Sequence, residues 1–151
     1  MIRVQETAVI ACSPDTLLDF VMDIERYAEV DRKISPVLWH RREGNVVEFA
    51  CRPTLAGMPQ PKVVQQLTLT PGQRIDISLS PPPQNRIGHA MARFAASFQT
   101  EAVPEGTRVT RTLEFRVTPA LRWLLEPLLR RRLPGEVREE LRLAKRYLER
   151  A

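Results

Sequence analysis

After a run of short alternating segments, the chain switches at residue 119 to a helical apolar period and holds it to residue 149. Leu121, Leu124, Leu125, Leu128, Leu129, Leu133, Val137, Leu141, Ala144 and Leu148 recur at three- and four-residue steps, which places them on one stripe of a single long helix. At 1.5 Å per residue such a helix spans about 45 Å, more than a cap on a small domain needs. It must therefore cross something large, and the only large object the rest of the sequence can build is a curved sheet. A sheet gripping a helix can leave a cavity between them, so the pattern points to a container for a small apolar molecule.

A chain of 151 residues fits one domain, residues 1–151, and is long enough to bury a single core. No apolar run approaches the roughly 20 residues of a membrane span. Met1-Ile2-Arg3 leads directly into a strand-like segment without an apolar stretch and cleavage site, so a cytoplasmic protein is expected. Cys12 and Cys51 are too few and too far apart for a metal knuckle or a redox pair. They read first as reduced, buried small side chains, with a reactive thiol as the alternative. His40 and His89 have no third ligand nearby, so we expect no metal; no cofactor is expected either. Of the net charge of +5, most lies from residue 120 onward, where nine bases face five acids. Such a helix face can dock on anionic lipid headgroups or RNA, but bases also favour a helix C-terminus and keep an outer face solvated. No DNA partner is expected, and the chain reads as a monomer or weak homodimer.

Residues 2 to 10 have the β-branched content of a strand. Ser13-Pro14-Asp15 is a helix start: serine as N-cap, proline at the first helical position, and an acid near the positive end. Asp23 can cap a second short helix to about Val30. From Val37 to Val117 the pattern is strand, turn, strand, with tight turns at Glu43-Gly44-Asn45, Pro71-Gly72 and Pro104-Glu105-Gly106. Strands are predicted near 36–42, 45–53, 62–70, 73–80, 88–103 and 107–118, making seven with the first. Gly57 to Pro61 and Pro81 to Gly88 read as loops at the rim of a pocket. Thr118-Pro119 starts the final helix, which Pro134-Gly135 should kink or split.

This order of elements resembles the helix-grip fold of the START-like (SRPBCC) superfamily, in particular the bacterial polyketide cyclase/dehydrase type of domain. The α+β likeness is carried by Val9-Ile10-Ala11-Cys12-Ser13-Pro14-Asp15 and by Asp23-Ile24-Glu25-Arg26-Tyr27, which looks like that family's D-x-E-x-Y turn. Gly106-Thr107-Arg108-Val109-Thr110, Leu125-Glu126-Pro127-Leu128-Leu129 and Arg142 to Leu148 extend it over nearly the whole chain. The resemblance implies a seven-stranded curved antiparallel sheet wrapped around the C-terminal helix, with two short helices between strands 1 and 2. It further implies a cavity holding a polyketide, lipid, sterol, quinone or aromatic molecule. Carriers and aromatase/cyclases share this fold, so function must be argued from the cavity lining.

Alternation places Val109, Arg111, Leu113, Phe115 and Val117 on one inward face of the last strand. Val47, Phe49 and Cys51 form another inward row, as do Val63, Gln65, Leu67 and Leu69, and Ile75, Ile77 and Leu79. From the helix, Trp123, Leu124 and Leu128 are placed to close the cavity, with Trp39, Met58 and Met91 near its mouth. An arginine among apolar residues needs a partner, because a buried uncompensated charge costs several kcal/mol. Either Arg111, with Gln65, holds a ligand carboxylate or polarises ketone oxygens, or it pairs with Glu48 or Glu114 at a sheet margin. For catalysis the candidates are Arg111 and His89; no convincing base with a partner in reach stands out. Three functions remain open: binding an apolar ligand, polyketide-type cyclisation or dehydration, and contact with a membrane surface or RNA.

Overall fold

The computed structural model describes residues 2–80 and 92–150. Strand β1 (Ile2–Ile10) leads into α1 (Pro14–Met22), α2 (Ile24–Tyr27) and a single 3-10 turn (Arg32–Ile34). The strands β2 (Val37–Glu43), β3 (Val46–Cys51), β4 (Thr54–Leu55), β5 (Met58–Pro59), β6 (Val63–Thr70), β7 (Arg74–Leu79), β8 (Ala92–Val103) and β9 (Gly106–Val117) follow, and then α3 (Pro119–Leu148). Seven strands form one antiparallel sheet in the order β1-β9-β8-β7-β6-β3-β2, while β4 and β5 pair only with each other. Strands β1 and β2, consecutive among the sheet strands, thus stand at opposite edges, and α1 and α2 bridge them. This is the predicted seven-stranded helix-grip arrangement.

Local chemistry places the first helices. Ser13 Oγ accepts from the Thr16 amide at 3.2 Å, capping α1 with Pro14 at its first turn. Helix α2 stops at Tyr27, short of the expected Val30, because the chain tightens into the 3-10 turn. There the Asp31 carboxylate accepts from the Lys33 amide at 3.0 Å. No periodic pattern in the sequence announces this turn.

One expectation is narrowed and another corrected. Helix α3 is not split: it runs through Pro127 and Pro134 as one helix. Leu133 and Val137 on either side of the second proline are fully buried, so packing on both sides offsets the loss of one backbone hydrogen bond. The stretch 57–61 is not wholly loop, because Met58 and Pro59 pair with Leu55 and Thr54 across a turn at Ala56 and Gly57, both at positive φ (52° and 78°). Strand β3 correspondingly ends at Cys51 rather than at 53. The expected loop from Pro81 to Gly88 and the expected start of β8 lie outside the described residues.

The alternation in the sheet is as predicted: Val109, Arg111, Leu113 and Val117 are buried, with Phe115 half-buried on the same face. The last part of α3 packs on β1, where Arg138 pairs with Glu6 at 3.0 Å and Lys145 Nζ donates to the Val9 carbonyl at 2.8 Å. Tyr147 stacks on Phe20 of α1 at 4.7 Å between ring centres. No described helix is long and apolar enough to cross a membrane.

Gly106, at φ 137°, opens β9 where the backbone of β1 comes closest: a Cβ there would lie 2.2 Å from the Ile10 carbonyl oxygen. Gly106→Ala should lower stability by about 3 kcal/mol in urea unfolding. Gly44→Ala, at φ 59° with nothing within 4 Å, should cost only about 1 kcal/mol.

Candidate functional site: a cavity with a charged floor

Between the sheet and the first half of α3 lies a cavity of about 480 Å³. Its wall is apolar: Phe49 from β3, Leu67 from β6, Ile77 and Leu79 from β7, Phe94 and Phe98 from β8, and Leu113, Phe115 and Val117 from β9. Leu125 and Leu129 face it from α3, and Val21 and Ile24 from the short helices. The volume falls in the range of small-molecule sites.

The β4–β5 hairpin and the residues around it supply the rim through Pro53, Leu55, Gln60, Pro61 and Lys62. Two side chains of α3 clamp its tip. Arg132 Nη1 donates to the Ala56 carbonyl at 3.1 Å, and the Ala56 amide donates to Glu136 Oε2 at 3.2 Å. Spaced four residues apart, Arg132 and Glu136 project from one helix face and hold a single residue's backbone between them.

The floor is a buried set of charges. Glu140 of α3, 2% exposed, accepts from Lys33 Nζ at 2.7 Å, from Arg111 Nε at 3.2 Å and from the Tyr27 hydroxyl. Asp31, 1% exposed, lies 2.8 Å from Lys33 Nζ and 3.7 Å from Arg111 Nη2. Arg111 also lies over the Phe98 ring at 4.1 Å. Among the described residues, Arg111 Nη1 and Asp31 Oδ2 are buried without a hydrogen-bond partner. Tyr27, Asp31, Lys33 and Arg111 all line the cavity.

The titrations follow from this arrangement. Burial disfavours the charged form of Glu140, yet Arg111 and then Lys33 outweigh it and hold the carboxyl below its ordinary value. Burial, helped by Glu140, pushes Asp31 up. For Lys33 burial works against the charge, but Asp31 and Glu140 raise the pKa overall. Burial first, then the negative charge of Glu140, drives Tyr27 well above the ordinary phenol range, so it stays a protonated donor. Burial pushes Cys51 up to about 12, which makes it a poor nucleophile.

Of the residues read from the sequence, Phe49, Gln65, Leu67, Ile77, Leu79, Arg111, Leu113 and Phe115 line this cavity. Cys51 is buried in the core beside it, and Met58 is half-buried in β5. Trp39 is 38% exposed on the edge strand β2. Trp123 and Leu124, expected to close the cavity, are instead 75% and 56% exposed, and Leu128 packs against the core while Leu125 and Leu129 make the contact. A helix residue one position away points about 100° around the axis, which separates Leu124 from Leu125. Met91 and His89 lie outside the described residues. Arg111 pairs with neither expected acid: Glu48 binds Arg41 at 2.7 Å and Glu114 lies 3.4 Å from Arg3. Its partner Glu140 was missed, although it stands three residues after Val137 and four before Ala144, on the buried stripe. Tyr27, Asp31 and Lys33 were missed as well.

The chain belongs to the polyketide cyclase/dehydrase and lipid transport family, whose model matches residues 1–149. No curated protein matches it. Among solved structures it is similar to TTHA0849 from Thermus thermophilus, with a TM-score of 0.78, 17% identity and 97% of each chain covered. It is similar to the Zhui aromatase/cyclase from Streptomyces sp. R1128, with a TM-score of 0.69, 16% identity, and 96% of this chain and 94% of that one covered. The di-domain ARO/CYC StfQ from the steffimycin biosynthetic pathway matches at a TM-score of 0.73 and 16% identity, over 98% of this chain and 51% of that one. At such identities the likeness establishes the helix-grip fold.

Glu140→Ala should destabilise the protein by about 3–5 kcal/mol at neutral pH, because it strands Arg111 and Lys33 without their shared acid. With a lowered folded pKa, the contribution of Glu140 is complete above its unfolded value of about 4.3 and is lost as pH falls through the folded value. The raised pKa of Asp31 acts in the opposite sense, since the folded state there holds the proton more tightly. The gap between wild type and Glu140→Ala in urea unfolding should therefore narrow below about pH 4, and Glu139→Ala, removing an exposed pair with Arg142, should change little.

Proposed function

We propose that the protein binds a small hydrophobic molecule, a polyketide, lipid, quinone or aromatic compound, in the cavity between the sheet and α3. The observation that carries this reading is an apolar hollow of about 480 Å³ in a domain of this size. Protein interiors are close-packed with few voids larger than a water molecule, so an apolar space of this extent has a use. The description of the family, polyketide cyclase/dehydrase and lipid transport, supports a bound ligand of this kind. A cyclase or dehydrase acting in the same cavity is the alternative. In that case Arg111 polarises a ligand oxygen through Nη1, since its Nε and Nη2 face Glu140 and Asp31.

A specific observation favours membrane contact as a second reading. Trp123 and Leu124 are exposed on the turn of α3 next to the cavity-facing Leu125, with Arg122, Arg130 and Arg131 exposed on the same half of the helix. An interfacial indole flanked by bases suits an anionic lipid surface, the place from which an apolar ligand would be collected.

Native mass spectrometry of freshly purified protein should show a co-purified apolar mass. Ile77→Trp, which fills the hollow from β7, should abolish that adduct while the circular dichroism of the fold is kept; an adduct that survives the filled cavity removes this reading. Turnover of a model poly-β-ketone by wild type and not by Arg111→Lys would move the assignment to the cyclase. Vesicles containing anionic lipid should bind the protein in low salt, and Trp123→Ala should weaken that binding by about tenfold.

A further inference from the structure

The floor of the cavity holds two acids, Asp31 and Glu140, and two bases, Lys33 and Arg111, all buried and mutually paired. With both acids ionised against the two bases and Tyr27 kept protonated, the set is electrically balanced before any ligand enters. A carboxylate added there would bring an uncompensated negative charge into a low-dielectric space, beside the Asp31 oxygen that already lacks a hydrogen-bond partner. Among the described residues two buried polar atoms nevertheless remain unmet: a donor, Arg111 Nη1, and an acceptor, Asp31 Oδ2. Nη2 of the same guanidinium stands 3.7 Å from that Oδ2, so the two side chains that carry the unmet atoms are neighbours. Buried polar groups in folded proteins almost always find a hydrogen-bond partner, and both residues border the cavity.

Resting on the binding reading above, we infer that the floor selects a ligand whose apolar body ends in a neutral hydroxyl, an alcohol or phenol, and discriminates against the corresponding carboxylate. The hydroxyl oxygen accepts from Arg111 Nη1 and its proton goes to Asp31 Oδ2 as a hydrogen bond, which satisfies both atoms without altering the charge balance. A ketone would meet only the arginine, and a hydrocarbon neither. Lys62, the other base at the cavity, is exposed at the rim, where solvent screens its pull on an anion.

The test is calorimetric titration of the wild-type protein at neutral pH with para-octylphenol, para-octylbenzoate and octylbenzene, which share one apolar body and differ in the head. The phenol is expected to bind at least about tenfold more tightly than either of the others. Equal or tighter binding of the benzoate overturns the inference, because the floor would then be an anion site. Equal binding of octylbenzene and the phenol overturns it too, but leaves the apolar container standing. If none of the three binds, the container reading itself fails. Asp31→Asn, which removes one negative charge at nearly constant shape, should narrow the preference for phenol over benzoate by about tenfold. A ratio unchanged in the folded variant removes Asp31 from the recognition, and the wild-type series decides the question if the variant does not fold.

Discussion

The contact between Glu140 and Arg111 joins the final helix to the strand beneath it, and the rest of the site takes its place around that pair. Lys33 brings in the 3-10 turn and Tyr27 brings in α2, so three other segments converge on one carboxylate of α3. Buried ion pairs contribute little net stability compared with well-packed apolar replacements, but removing one member is costly. The value of the cluster therefore lies in position: it penalises any slide of α3 along β9 that would part the charges. An apolar stripe alone tolerates such slides, because one leucine packs much like the next.

Fixing the helix at this point allows the space beside it to stay open. Beyond Glu140, α3 rests on β1, anchored by Lys145 and by Tyr147 against Phe20. Before it, Arg132 and Glu136 hold the tip of the β4–β5 hairpin through the Ala56 backbone. These anchors flank Glu140 along the helix, and between the first half of α3 and the sheet lies the cavity. A helix held only by apolar contacts would gain by collapsing onto the sheet and closing the hollow. One held by directional contacts cannot do so without breaking them.

The fold was legible because its signals are local and repeated. Alternation fixed the inward rows of β3, β6, β7 and β9, Ser13-Pro14 marked the first helix, and the three-and-four spacing announced the last. The floor was only partly legible. Arg111 could be seen as an anomaly in an apolar row, but its partner sits on another element, and pairing across elements has no sequence period. Glu140 carried a signal, an acid on the buried stripe, that was hidden among the many charges on the helix. Asp31 and Lys33 carried none, since a single 3-10 turn is placed by what it packs against. Trp123 and Leu124 misled for the opposite reason: they extend the apolar spacing of α3 to the margin of the stripe, where the helix meets solvent.

The cavity thus divides its tasks between two kinds of chemistry. The apolar wall supplies affinity in proportion to the area a ligand covers, about 25 cal/mol for each Å² removed from water, and is indifferent to what the ligand is. The floor offers little apolar area and carries instead one unmet donor and one unmet acceptor, groups whose directionality an apolar wall lacks. The helix-grip backbone dictates the wall, since alternation on any such sheet turns apolar side chains inward. It does not dictate the floor, whose residues come from a turn, a strand and a helix that could carry other side chains without changing the fold. Solved structures with 16–17% identity share the architecture, so the backbone they have in common leaves the side chains at that floor free to differ.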